Sequence, residues 1–170
     1  FKDIAVPDDV RDAFQYYLSQ AKKYWLEQNL YMEGMTCLAL HRFGDKVTPA
    51  SMIKSFNERA LRSEEMGMYW KLDHGYFWHQ APVETQALMI EVYDEVARDI
   101  KSVGEMKVWL LKQKQTQDWK TTKATTEACY ALLRRGTDIL SSTKVVDIVV
   151  GKEKIDPTKR EDTKVEAGTG

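Results

Sequence analysis

The chain has 170 residues, enough for one domain of ordinary size with or without part of a second. Its 43% hydrophobic and 30% charged residues are typical of a folded globular protein and exclude a disordered one. The 25 basic and 26 acidic residues nearly cancel and are interspersed, so the sequence lacks the basic footprint of a nucleic-acid-binding protein.

Three amphipathic helices are predicted in the first 63 residues. The first opens at Pro7-Asp8-Asp9, where carboxylates lie near the positive end of the helix dipole, and the second ends at Gly44-Asp45. The third begins at Thr48-Pro49, a good cap and first-turn pair. The expected inward-facing residues are Val10, Phe14, Tyr17, Ala21 and Trp25, then Met32, Met35, Leu38, Ala39 and Phe43, then Met52, Ile53, Phe56 and Ala60.

Residues 64–81 are aromatic and irregular in pattern, which predicts a structured loop. We expect its aromatic side chains to pack onto the ends of the helices. The alternative is an exposed surface for a partner, built from Trp70, His74, Tyr76, Trp78 and His79. His74 and His79 lie near Asp73, but no third ligand follows at metal spacing, so neither a metal site nor an acid–base pair is predicted there.

Three more helices are predicted to begin at Pro82, at Val103, and at a cap formed by Thr121 or Thr122. Their expected inward-facing residues are Val83, Ala87, Ile90, Tyr93 and Ala97, then Met106, Trp109 and Leu110, then Ala124, Ala128, Ala131 and Leu132. The six helices form three pairs, in which the first helix carries a bulky aromatic residue and the second is lined with small residues. Pairs that repeat at about 45 residues are typical of a helical array.

The composition changes after Ser142 from helical to β-rich. The run TKVVDIVV is followed by a turn at Gly151-Lys152 and a break at Asp156-Pro157. We therefore expect a helical domain over residues 1–142 and, over residues 143–170, a β-strand segment that belongs to the next domain.

No pattern in the sequence predicts a catalytic residue, a bound cofactor or a metal site. Cys37 and Cys129 each lie in an apolar helical run without C-x-x-C spacing, so buried free thiols are expected, and a disulfide between them is left open. The sequence has no G-x-S-x-G elbow, no glycine-rich phosphate loop and no run that approaches the length of a membrane span. The start at Phe1, without an initiator Met, indicates a piece of a larger protein.

Local motifs over nearly the whole chain resemble those of one family. Residues 31–40 resemble its "AYxxYALALAG" helix, and residues 57–70 resemble its "L…RA…YW" turn. Residues 82–88 are similar to "VETTAYxLLAL", and residues 109–133 to "WLxxQRxxxGxWxSTxDTxxALxAL"; the strands from residue 145 resemble the bacterial form of those that follow. The family is that of the alpha-2-macroglobulin-like proteins, and the match is to the later half of their thioester domain.

The resemblance implies a mainly α fold: about three helix pairs of an α/α toroid, the architecture shared with terpenoid cyclases, followed by a short β segment. It also implies a non-enzymatic part of a bacterial endopeptidase inhibitor that restrains proteases by changing shape after its bait is cut. The implied partners are proteases and the other domains of the same chain. The implied location is outside the cytoplasm, in the periplasm or anchored at the cell surface.

The family's reactive Cys-x-Glu-Gln thioester is not matched in this chain. Cys37 is followed by Leu-Ala-Leu and Cys129 by Tyr-Ala-Leu, so no thioester residue is assigned. Two other functions stay open. One is a helical-repeat scaffold whose aromatic loop docks a protein or peptide. The other is a toroid-class enzyme, which would need an aspartate-rich metal motif or a separated acid and base, and no D-x-D-D or D-D-x-x-D string occurs.

Overall fold

A computed structural model describes residues 5–72, 81–116, 119, 121–134, 148–150 and 153–155. The chain divides into two compact units, residues 1–135 and residues 136–170. The boundary expected near Thr143 lies inside the second unit. In that unit, strands β3 (Ile148–Val150) and β4 (Glu153–Ile155) form an antiparallel hairpin that pairs Ile148 with Ile155.

Six α-helices make up most of the described part of the first unit, as predicted. They are α1 (Arg11–Tyr24), α2 (Leu30–Arg42), α3 (Val47–Arg59), α4 (Pro82–Val92), α5 (Ile100–Thr116) and α6 (Thr122–Leu133). A π-helical turn, Tyr93–Ala97, extends α4. Strands β1 (Leu61–Ser63) and β2 (Gly67–Tyr69) form a small hairpin between α3 and α4. None of the helices described combines the length and the apolar character that crossing a bilayer requires.

Helix α4 lies at the centre of the packing. It contacts α2 on one side and α6 on the other, and α5 also packs against it. Its sequence, PVETQALMIEV, is buried almost all round, and its buried residues are Glu84, Thr85, Gln86, Ala87, Met89, Ile90 and Val92. Because such a helix needs neighbours on every side, α4 organises the core.

Small residues allow the central helices to approach closely. A Cβ atom on Gly34 of α2 would lie 3.1 Å from Leu88 Cδ2 and 3.3 Å from Met89 Sδ of α4. On α6, Ala124, Ala128 and Ala131 are at most 4% exposed. The small-residue stripe predicted for α6 is therefore confirmed.

The aromatic segment begins as a hairpin and not as an irregular loop. Gly67 has a φ of +72°, and a Cβ atom there would collide with the carbonyl oxygen of Glu105, so this turn requires glycine. The side-chain amide of Gln86 donates to the carbonyl oxygens of Met68 (2.7 Å) and Met106 (3.3 Å). The hairpin is thereby tied to α4 and α5.

Two of the predicted helix faces are wrong in part. No residue of α1 is buried, and Tyr17, expected inside, is 70% exposed. Of the inward-facing residues predicted for the second helix, Met35 and Phe43 are exposed as well, at 45% and 42%, and Phe43 lies just after the end of α2. Helical periodicity shows that a helix has an apolar stripe, but it does not show how much of that stripe a neighbouring helix covers. Here α2 covers only part of the apolar stripe of α1.

Helix capping also differs from the prediction at one position. Helix α3 begins at Val47, and Asp45, not Thr48, caps it: Asp45 Oδ1 accepts from the backbone N–H groups of Val47 (2.9 Å) and Thr48 (3.1 Å). Thr48 Oγ1 donates to Asp45 Oδ2 over 2.8 Å, and Lys22 Nζ lies 3.1 Å from the same oxygen. The predicted cap of α6 is confirmed, since Thr121 Oγ1 accepts from the N–H of Ala124.

Replacing Ala128 with Trp should overpack the interface that α6 makes with its neighbours. Ala128 is fully buried, so we expect a loss of about 1–3 kcal/mol in the free energy of unfolding. Urea unfolding of the variant tests this, with Thr126→Trp at an exposed position of the same helix as the matched control. Equal stability of the two variants would contradict the buried placement of Ala128.

Replacing Asp45 with Ala should destabilise the protein in a pH-dependent way. Desolvation acts to raise the pKa of Asp45, but the hydrogen bonds from Thr48, Lys22 and Val47 outweigh it and lower this pKa from 3.8 to about 2. The stabilisation is therefore complete above pH 3.8 and is lost as the pH falls through about 2.

At neutral pH we expect Asp45→Ala to lower the free energy of unfolding by about 0.5–2 kcal/mol, as for other lost caps. Denaturant unfolding at neutral pH and near pH 2 measures the difference from the wild type, which should narrow in acid. Glu65→Ala, at an exposed carboxylate in the turn between β1 and β2, is the control. A difference that stays constant over this pH range would count against the capping role.

Candidate functional site

A groove of about 440 Å³ lies among α2, α4 and α6. Buried Leu38 and Ala87 contribute to its lining, together with exposed Met35, Phe43 and Tyr130. Tyr130 is 58% exposed. Exposed apolar and aromatic side chains around a concave surface are typical of a docking site.

A group of charged residues adjoins the groove, of which Arg42 and Glu91 also line it. We name this group the arginine–carboxylate cluster; its members are Arg42, Glu91, Asp94, Glu95 and Arg134. Arg42 is the last residue of α2, and Arg134 directly follows α6. The three carboxylates come from α4 and its π-helical extension. The cluster therefore joins three helices.

The two arginines of the cluster share two carboxylates. Glu91 Oε1 lies 2.8 Å from Arg42 Nη2 and 3.0 Å from Arg134 Nη1. Arg42 donates through Nε and Nη2 to the two oxygens of Glu95 (2.8 and 2.7 Å), whose Oε2 also lies 3.5 Å from Arg134 Nη2. Asp94 Oδ2 accepts from Arg134 Nε over 2.8 Å.

Within the cluster, the partner charges favour the ionised forms of Glu95 and Arg134. Hydrogen bonds from Arg42 lower the pKa of Glu95, against the smaller effect of partial burial. Burial acts to lower the pKa of Arg134, but the hydrogen bond to Asp94 and the charge of Glu91 raise it overall. Glu95 is thus held as an ion-pair partner and is a poor candidate for a general acid.

A second carboxylate, Glu33 on α2, is almost fully buried. Arg59 Nη2 donates to Glu33 Oε2 over 2.6 Å, and the Arg59 guanidinium lies over the ring of Phe56, 5.6 Å from its centroid. Burial raises the pKa of Glu33, although the hydrogen bond and the charge of Arg59 act to lower it. The pair ties α2 to α3 at the edge of the core, since the Arg59 side chain is 45% exposed, and neither residue lines the groove.

The two cysteines lie in different environments, and both are free. Cys37 is buried as expected, and burial raises its thiol pKa to about 12, so it is not a thiolate at neutral pH. Cys129 is exposed, and the expectation that it is buried was wrong, because the buried face of α6 is its alanine stripe. Among the described residues, no three His, Cys, Asp or Glu side chains are grouped so as to hold a metal ion.

Of the five residues of the possible partner surface, only Trp70 is described. It is 7% exposed, and its Nε1 donates to the carbonyl oxygen of Phe56 over 3.0 Å, so this indole packs in the core and offers no partner surface. His74, Tyr76, Trp78 and His79 lie outside the described residues.

Neither the groove nor the arginine–carboxylate cluster was predicted from the sequence. A usable signal was present: Glu91 and Glu95 are four residues apart on a helix, which places both carboxylates on one face. Their arginine partners lie 49 and 39 residues away along the chain, at helix ends, and no local pattern connects them. No family model, no curated protein and no solved structure matches this chain.

Removing both arginines of the cluster should destabilise the protein by less than the sum of the single changes. Arg42 and Arg134 share Glu91 and Glu95, so the loss of either arginine disturbs the carboxylates that the other one contacts. The second substitution therefore removes contacts that the first has already weakened. We expect a coupling energy of about 0.5–2 kcal/mol from urea unfolding of the four proteins. Additive changes, within about 0.3 kcal/mol, would show that the arginines act independently.

Proposed function

We propose that the chain is a non-enzymatic helical part of a bacterial alpha-2-macroglobulin-like endopeptidase inhibitor. In this proposal its six helices form three pairs, α1 with α2, α3 with α4 and α5 with α6, as a segment of an α/α toroid. The whole protein traps a protease by changing shape after its bait is cut. Its partners are proteases and its own other domains, and it acts outside the cytoplasm.

The observation that supports the proposal most directly is the order in which the helices pack. The second helices of the three pairs lie side by side, with α4 between α2 and α6, while α1 and α3 pack on α2 and α5 packs on α4 and α6. An α/α toroid has such an inner row, which requires small residues where the helices crowd together. Gly34, Ala87 and Ala128 occupy such positions here.

Bulky residues of α3 and α5 are also where the proposal requires them. Phe56 of α3 is fully buried and Trp109 of α5 is 7% exposed, and both belong to the main hydrophobic core. The motifs in residues 31–40, 82–88 and 109–133 fall on α2, on α4, and on α5 with α6. The resemblance in sequence and the packing therefore support the same assignment.

A second function, a scaffold that docks a protein or peptide, is favoured by the groove among α2, α4 and α6. Its exposed Met35, Phe43 and Tyr130 would supply apolar contacts to a partner. Trp70 is buried and is not part of such a surface, whereas the groove is built from described residues.

Trapping by the natural polypeptide that contains these residues can be measured with two substrates. The polypeptide is incubated with a general protease, which is then assayed on a large protein and on a small chromogenic peptide. We expect proteolysis of the large protein to fall several-fold while peptide cleavage is retained, because a trapped protease keeps its active site but loses access to bulky substrates.

An equal mass of an inert protein serves as the control for simple competition between substrates. Unchanged activity on both substrates would contradict the inhibitor function and would favour the docking scaffold. Loss of activity on both substrates would indicate active-site inhibition and would also contradict trapping by a change of shape.

A further inference from the structure

The C-terminal end of α6 is held in place through backbone carbonyl groups and through the side chain of Arg134, which follows the helix. Lys107 Nζ on α5 donates to the carbonyl oxygens of Leu132 (3.0 Å) and Arg134 (2.6 Å). The last carbonyl groups of a helix have no partner within the helix, so Lys107 supplies donors that α6 itself lacks. The Arg134 side chain meanwhile reaches the carboxylates of Glu91 and Asp94.

The end of α2 is fastened to the same carboxylates. Arg42 bonds to Glu91 and, through two nitrogens, to Glu95. Glu91 thus lies between the two guanidinium groups, at 2.8 and 3.0 Å. Each arginine also lies at a helix C-terminus, where a positive charge interacts favourably with the helix dipole.

Because Arg42 and Arg134 share carboxylates, the interactions at the two helix ends depend on each other. If Arg134 moves away, Glu91 and Glu95 lose a neutralising charge and repel each other across one helical turn. Arg42 is then the remaining arginine of the cluster for both carboxylates, and Glu91 no longer lies between two guanidinium groups. The positions of the α2 and α6 ends are therefore linked through α4, the helix that lies between them.

We propose that the arginine–carboxylate cluster is a latch that couples the end of α6 to the end of α2, so that release of Arg134 loosens both helix ends together. The latch lies at a distinct place along the chain: Arg134 comes two residues before Gly136, where the second compact unit begins. The inference rests on the contacts of the cluster and is independent of the proposed function.

The latch is sensitive to salt because its ion pairs are only partly shielded. The side chains of Arg134, Glu91 and Glu95 are 19%, 22% and 24% exposed. Ion pairs at this depth are weakened by screening, although less than fully exposed pairs. High salt should therefore loosen the two helix ends in parallel.

Amide hydrogen exchange on the 170-residue chain tests the coupling, with Arg134→Gln compared with the wild type. The informative amides are those of Arg134, bonded to the carbonyl of Tyr130, and Phe43, bonded to the carbonyl of Ala39. We expect exchange at both helix ends to rise about fivefold, while the buried centre of α5 is unchanged. Arg11→Gln, at the exposed Arg11–Asp8 pair, is the matched control and should change neither helix end.

A rise confined to α6 would overturn the latch, because the arginines would then act separately. A uniform rise in all helices would overturn it as well, since it would reflect global unfolding. If Arg134→Gln does not fold, Arg134→Lys is measured in the same way, because it keeps the positive charge but not the planar fork of hydrogen-bond donors. Faster exchange at both helix ends supports the latch, and faster exchange at one end or at neither overturns it.

Discussion

The burial of α4 on almost every side is the constraint on which the helical unit depends. A helix in this position must satisfy its own polar side chains without water. The Gln86 amide bonds to backbone carbonyls of β2 and α5, and Thr85 Oγ1 donates to the carbonyl of Ala81 over 2.8 Å. Glu84 accepts from the cap residue Thr121 over 3.4 Å. The bonds of Gln86 and Glu84 hold α4 against the hairpin, α5 and α6. They therefore select one arrangement of the apolar side chains that pack around α4.

The same helix contributes to both features of the candidate site. Ala87 and Leu88 line the groove, and Glu91, one turn further on, lines it and also belongs to the arginine–carboxylate cluster. The cluster then connects α4 to the ends of α2 and α6. A change in the separation of α2 and α6 would alter the width of the groove and the geometry of the ion pairs together. Binding in the groove and the state of the cluster are therefore expected to influence each other.

The sequence predicted what depends on local pattern and missed what depends on distant neighbours. The number of helices, the Thr121 cap and the alanine stripe of α6 follow from periodicity and capping chemistry over a few residues. The exposure of Tyr17 and of Cys129 depends on which elements cover them in the fold. The cluster is the clearest case, since its arginines and carboxylates are about 40–50 residues apart and meet only because α2, α4 and α6 lie side by side.

The contrast between the two cysteines makes α6 accessible to spectroscopy without any substitution. Cys129 is exposed on α6, whereas the Cys37 thiol is buried and its pKa of about 12 suppresses the reactive thiolate. A maleimide dye or a nitroxide spin label applied to the folded protein at neutral pH would therefore attach at one position. That position lies five residues before Arg134, on the helix that carries the alanine stripe. The native chain thus offers a single reporter site for the movement of this helix.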